Sequence, residues 1–76
     1  MVSYYITQRL SVLSSQGDGE TLELNKISFN GEPAKWDIRR WGMRDYDGRR
    51  RMRKGIALSY HEIKALKQAL EKLEDI

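Results

Sequence analysis

The sequence predicts an α+β fold in which four antiparallel strands are followed by one C-terminal helix, in the order β-β-β-β-α. Three observations carry that expectation. Apolar and polar residues alternate through four separate segments between Ser3 and Leu58, the period of half-buried strands. Clusters of Gly, Asn, Asp and Pro divide those segments at residues 15–19, 30–33 and 42–48, where tight reversals join antiparallel neighbours. Past Leu58 the apolar spacing changes to three and four, in a run with neither Gly nor Pro, as a helix requires.

The first strand covers residues 3–14, with Tyr4, Ile6, Leu10 and Val12 on one face and Tyr5, Thr7, Arg9 and Ser11 on the other. Residues 15–19, Ser-Gln-Gly-Asp-Gly, are small, polar and permissive in φ, and form a loop. The second strand covers residues 20–30, and its alternation changes phase: Leu22 and Leu24 have one parity, Ile27 and Phe29 the other. A bulge near Asn25-Lys26, or strong curvature, reconciles the two halves. Asn30-Gly31-Glu32-Pro33 then turns the chain, its proline fixing φ and withholding a hydrogen-bond donor. In the third strand, residues 34–42, Trp36 and Ile38 share a face opposed by Lys35, Asp37, Arg39 and Trp41. One tryptophan is thereby expected in the core and the other, Trp41, among the charges.

A polar connection of hairpin type, residues 42–48, leads to the fourth strand, residues 49–58. There Met52, Ile56 and Leu58 point inward and Arg51 and Arg53 outward, and Gly55 marks a kink or a close approach of backbones. Disorder is the alternative for the arginine run. Ser59 and Glu62 form a Ser-x-x-Glu capping box, so the helix starts at Tyr60 and continues to about residue 75. Ile63, Leu66, Leu70 and Leu73 make one apolar stripe, with Lys64, Lys67, Gln68, Glu71 and Lys72 outside it. The stripe covers the sheet of its own chain, a second copy of itself, or both. One sheet face is left uncovered by the chain.

A chain of 76 residues makes one domain, 1–76, and buries only about 60% of its unfolded surface. With no cysteine there is no disulfide and no thiolate metal site, and His61 is the single histidine, which leaves little for zinc. Oligomerisation is the remaining way to enlarge so small a core. No apolar run approaches the roughly 18 residues of a membrane span and nothing reads as a signal peptide, so a cytoplasmic setting is the expectation.

Charge is concentrated rather than spread. Residues 35–54 hold nine basic side chains (Lys35, Arg39, Arg40, Arg44, Arg49, Arg50, Arg51, Arg53 and Lys54) against three acids (Asp37, Asp45 and Asp47). That local excess of six, in a chain of net charge +3, leaves the remainder three units negative. A strongly basic patch on a mildly acidic body attracts a polyanion.

Enzyme chemistry finds no foothold. There is no cysteine nucleophile, no Gly-x-Ser-x-Gly elbow and no phosphate-binding glycine loop; Asp45 and Asp47 read as turn formers beside arginines, and His61 as a surface residue in the first helical turn. No catalytic residue, metal, cofactor, small-molecule substrate or membrane partner is expected. Basic side chains interleaved with aromatics on strands suit single-stranded nucleic acid instead, where phosphates need cations and exposed bases need flat apolar faces. Arg39 and Trp41, two apart on one strand face, present one of each. The structural alternative is that Trp41 closes the core at the sheet edge and the arginines are a solvated face.

The order of elements, together with Lys35-Trp36-Asp37-Ile38-Arg39-x-Trp41 and Arg53-Lys54-Gly55-Ile56-Ala57-Leu58-Ser59 leading into the helix, resembles the transcriptional coactivator family of positive cofactor four. Residues 23–30, Glu-Leu-Asn-Lys-Ile-Ser-Phe-Asn, make it more similar to the small bacterial YdbC-like branch, and the resemblance covers nearly the whole chain from about Tyr4. It implies a curved four-stranded antiparallel sheet with one C-terminal helix, a homodimer through helices and sheet ends, and sequence-tolerant binding of single-stranded DNA in transcription, replication or repair. Carried onto matching positions, it puts Arg39, Arg53 and Lys54 on phosphates and Trp41 against a base, with Lys26, Phe29 and Lys35 as further contacts. Arg44 and the run Arg49, Arg50 and Arg51 have no clear counterpart in the family, and Arg51 joins the candidates on charge alone. Single-stranded RNA, or an acidic segment of a protein partner, are the other ligands that such a surface fits.

Overall fold

The computed structural model describes residues 3–75. Strands β1 (Tyr4–Ser15), β2 (Thr21–Phe29), β3 (Lys35–Arg44) and β4 (Arg50–Leu58) form one antiparallel sheet in the order β1-β2-β3-β4, followed by helix α1 (Tyr60–Leu70). The expected β-β-β-β-α order is therefore the observed one. The reversals fall at the turn residues: Asn30 and Gly31 adopt φ of 52° and 77°, and Gly48 a φ of 84°. The arginine run leads into the sheet, with Arg50 opening β4 opposite Arg44.

Strand β2 pairs with β3 in unbroken register from Thr21 opposite Trp41 to Ile27 opposite Lys35. It contains no bulge at Asn25-Lys26, and the change of phase in its apolar residues has another cause. Both faces of the central strands are partly covered, so Leu22 and Leu24 serve one side while Ile27 and Phe29 serve the other. Apart from two shifts of β3 against β4 on either side of Trp41, the irregularities lie in β1, whose register against β2 shifts between Ile6 and Gln8, between Arg9 and Ser11, and between Val12 and Ser14. Each shift adds a residue to β1 and increases the local bend. The additions also defeat simple alternation: Arg9 pairs with Asn25 and Val12 with Glu23, so Arg9 shares a face with Tyr4 and Ile6, the reverse of its expected side.

Bending brings the N-terminal end of β1 across β2. Tyr4 lies opposite Phe29 and Trp41 opposite Thr21, at the two ends of β2, yet the Tyr4 and Trp41 rings are 5.6 Å apart. The sheet thus curls toward the face carrying Ile27, Asp37, Arg39 and Trp41. Among the described residues the buried apolar side chains are Ile27 and Trp41, accompanied by buried Glu23, Asn25 and Asp37.

The helix starts as its capping box dictates: Glu62 N–H donates to Ser59 Oγ at 3.2 Å and Ser59 N–H donates to Glu62 Oε1 at 2.8 Å. It ends at Leu70, ahead of the expected boundary, and none of its residues is fully buried. Its stripe faces the convex side. There Leu10, Leu13, Leu24, Trp36 and Ile38 from the sheet and Ile63, Leu66 and Leu70 from the helix line an open apolar groove of about 400 Å³.

Candidate nucleic-acid interface

The curled face is polar, and arginine's fixed fork of donors explains how it is built. Asp37 is fully buried, and Arg39, two residues along the same face of β3, grips it with two bonds of 2.6 Å from Nε and Nη2. The remaining Nη1 donates to the Arg53 carbonyl at 3.2 Å, and the guanidinium lies 5.5 Å from the centre of the Phe29 ring. This arrangement needs room in β4. Gly55 lies opposite Arg39, and a Cβ there would stand 1.9 Å from Arg39 Cβ and 2.6 Å from the Ile38 carbonyl oxygen. The glycine is the close backbone approach that its position in the strand indicated.

A second pair joins β4 to β2. Arg50 donates to Glu23 Oε2 at 2.5 Å, to Thr21 Oγ1 at 2.6 Å and to the Gly42 carbonyl at 3.3 Å. Glu23 also accepts from Thr21 and from Asn25, and Arg9 approaches its other oxygen at 3.9 Å. Burial opposes ionisation of Glu23, but the hydrogen bonds from Thr21, Arg50 and Asn25 and the charge of Arg50 outweigh it, holding the carboxyl below its ordinary value. Sequence reading passed over this network. Its signal was an acid, Glu23, set between Leu22 and Leu24 in a central strand, where a charge demands a partner.

The candidate contact residues divide among three regions. Phe29, Lys35, Arg39 and Trp41 lie on the curled face, where Arg39 is ion-paired with 13% of its side chain exposed. Trp41 is on the expected face and among charges, but it is 2% exposed beneath Tyr4 and offers no ring surface to a base in this conformation. The expected division of the tryptophans is inverted: Trp41 is the core residue, whereas Trp36 is half-buried on the convex side. Trp36 carries the Lys26 ammonium 5.0 Å from its ring centre and meets Tyr60 at 5.9 Å. Lys26 therefore faces away from Arg39. At the β3–β4 end, Arg51 and Arg53 flank Gly42, with Arg53 bonded to Glu20 at 2.8 Å, and Lys54 is exposed beside an extra residue in β4. Among the described residues Lys35, Arg51 and Lys54 are exposed cations outside any ion pair.

Nothing in this arrangement resembles a metal site, since no cluster of three ligating side chains occurs among the described residues. No helix among them is long and apolar enough to cross a membrane.

The Transcriptional Coactivator p15 (PC4) family matches the chain over residues 17–69, from the β1–β2 turn through most of α1. An uncharacterized protein of Treponema pallidum (strain Nichols) is 40% identical over 70 residues, an alignment spanning 92% of this chain and 78% of that protein. The four-stranded curved sheet with its single C-terminal helix agrees with the family match. With the family matching well over half of its length, the chain belongs to the Transcriptional Coactivator p15 (PC4) family of nucleic-acid-binding proteins.

Proposed function

We propose that this protein binds single-stranded DNA as a homodimer, without regard to sequence and without catalysing a reaction, in support of transcription, replication or repair. The observation that carries the reading is the division of the sheet: α1 lies on the apolar convex side, and the opposite side, which displays Lys35, Arg39 and Phe29, has no element laid over it. Cations at the rim of that face hold phosphates, and half-exposed aromatic surface accepts bases of any identity because every base has a π-face. Lys35, Arg51 and Lys54 are the strongest phosphate contacts in this reading, being exposed and outside ion pairs. Arg53 joins them once it releases Glu20, while Arg39 acts mainly by supporting Phe29 and β4. Lys26 belongs to the track only where a strand wraps past the sheet edge.

The small size of the core supports a dimer. Two fully buried apolar side chains among the described residues, Ile27 and Trp41, are few for a folded chain of this length, and the apolar groove beside α1 leaves Leu13 and Leu70 more than half exposed. A second copy, bringing its own helix stripe to the same groove, covers both. Titration of the protein with oligo-dT, the matching duplex and oligo-U of equal length tests the function. Tight binding of oligo-dT with weak binding of duplex is expected; equal affinity for duplex and single strand overturns the reading, and a preference for oligo-U moves the ligand to RNA. Sedimentation at micromolar concentration tests the dimer, which a stable monomer excludes.

A further inference from the structure

A small recess lies under Tyr4. It has a volume of about 110 Å³ and is lined by Tyr4, Ile6, Arg9, Trp41, Arg44 and Arg50. A water occupies about 30 Å³, so the space admits a tetrahedral group of several heavy atoms. Three of the six lining residues are arginines, drawn from β1, β3 and β4. Trp41 forms one wall of the recess, and its indole Nε1–H is buried without a hydrogen-bond partner among the described residues.

Charge selects the class of oxyanion. Arg50 is neutralised by Glu23 at 2.5 Å. Arg9 lies 3.9 Å from the same carboxylate, with 65% of its side chain exposed. Arg44 is exposed and donates to the Gly48 carbonyl at 2.6 Å, which leaves most of its five N–H groups open. The three arginines and one carboxylate therefore carry a net charge of two positive. An internal phosphodiester brings one negative charge, whereas a phosphate monoester brings close to two at neutral pH. Beside the recess, and sharing all three arginines, lies an open groove of about 670 Å³ lined also by Leu10, Val12, Thr21 and Asn25, with room for the nucleoside that bears the phosphate.

We propose that the recess formed by Arg9, Arg44, Arg50 and Trp41 binds a phosphate monoester, the phosphorylated end of a nucleic-acid strand. This rests on the single-strand reading only for the source of the phosphate. The test compares oligo-dT bearing a terminal phosphate, at either end, with the unphosphorylated oligomer, and adds thymidine monophosphate as a free ligand. At pH 7.5 one phosphorylated end binds about tenfold more tightly, the effect of one additional charge-assisted hydrogen bond. The Trp41 indole N–H resonance, assigned with a Trp36→Phe variant, moves on binding.

The preference fades by pH 5, as the monoester loses its second charge with a pKa of about 6. The titratable and charged groups around the recess are Tyr4 and Arg9 from β1, Glu23 from β2, Arg44 from β3 and Arg50 from β4. The arginines stay charged across that range and Glu23 is held below its ordinary value, so the ligand is what titrates. Arg9→Gln, at an exposed side chain, and Arg44→Gln each bring the ratio of phosphorylated to unphosphorylated affinity close to one. An equal affinity for both oligomers in the wild-type protein overturns the proposal while leaving the single-strand reading in place. Binding of the monophosphate, abolished by Arg9→Gln, with no binding of either oligomer supports the recess and overturns the single-strand reading. A preference that survives both substitutions, or an indole resonance unmoved at saturation, also overturns it.

Discussion

At Gly55 the smallest side chain in the set decides whether two strands can pair. A methyl group there would overlap Arg39 Cβ at 1.9 Å and crowd the Ile38 carbonyl at 2.6 Å, and backbone cannot rotate away as a flexible side chain can. Gly55→Ala is expected to destabilise the fold by at least the roughly 1–3 kcal/mol typical of overpacking; an unchanged thermal midpoint would contradict the β3–β4 register. Trp41 poses the opposite problem. Because its large apolar side chain is buried, truncation to alanine should cost about 3–5 kcal/mol of stability, far more than a surface stacking residue would, and chemical denaturation measures the difference. Gly55 was legible in sequence, because glycine inside a strand has few other uses. The burial of Trp41 was legible only as the alternative that it closes the core, because parity assigns a residue to a face and says nothing of what the rest of the sheet lays over that face.

Strands and helix differ in how completely their own residues specify them. The start of α1 is local: Ser59, three residues before Glu62, satisfies two end groups at once, and Ser59→Ala is expected to cost about 1 kcal/mol, seen as a lowered unfolding midpoint with the helix intact. Strand β1 is the contrary case. Its alternation reads cleanly over residues 3–14, yet three register shifts turn Arg9 onto the face of Glu23. A bulge depends on the pairing of two strands, so one strand's pattern does not announce it. The helix stripe also looks beyond its own element. Leu66→Asp, placed in the apolar groove, should dissociate the proposed dimer by at least an order of magnitude; sedimentation that still returns a tight dimer would move the interface elsewhere.

For the molecule as a whole, charge is divided between holding the sheet together and meeting a ligand. Arg39 and Arg50 stabilise buried carboxylates, whereas Lys35, Arg51 and Lys54 stand outside ion pairs at the surface. About five phosphate contacts give a slope of roughly −3.5 for log K against log salt with a single strand, and each of Arg51→Ala and Lys54→Ala should reduce it by about 0.7. Substituting Arg50 should act on stability instead: leaving Glu23 buried without its partner costs about 3–5 kcal/mol. The pH profile carries the same signature. Glu23 has a folded-state value depressed below its ordinary 4.5, so its stabilisation is full above that value and is lost as pH falls from there through the depressed one. Glu23→Gln should remove that part of the acid transition, and an unchanged profile would show that Glu23 does not drive it.

Turn residues, alternation and a capping box are properties of neighbours in the chain, and they were sufficient for the element order, the antiparallel sheet and the start of the helix. The basic, aromatic character of residues 35–54 was likewise plain from composition. Which arginines are spent on buried carboxylates, which tryptophan is covered, and how the candidate contacts divide between the two faces depend on the bulges of β1 and the curl they produce. Those are sums over contacts distant in sequence, small at each residue and decisive only once the strands are laid side by side.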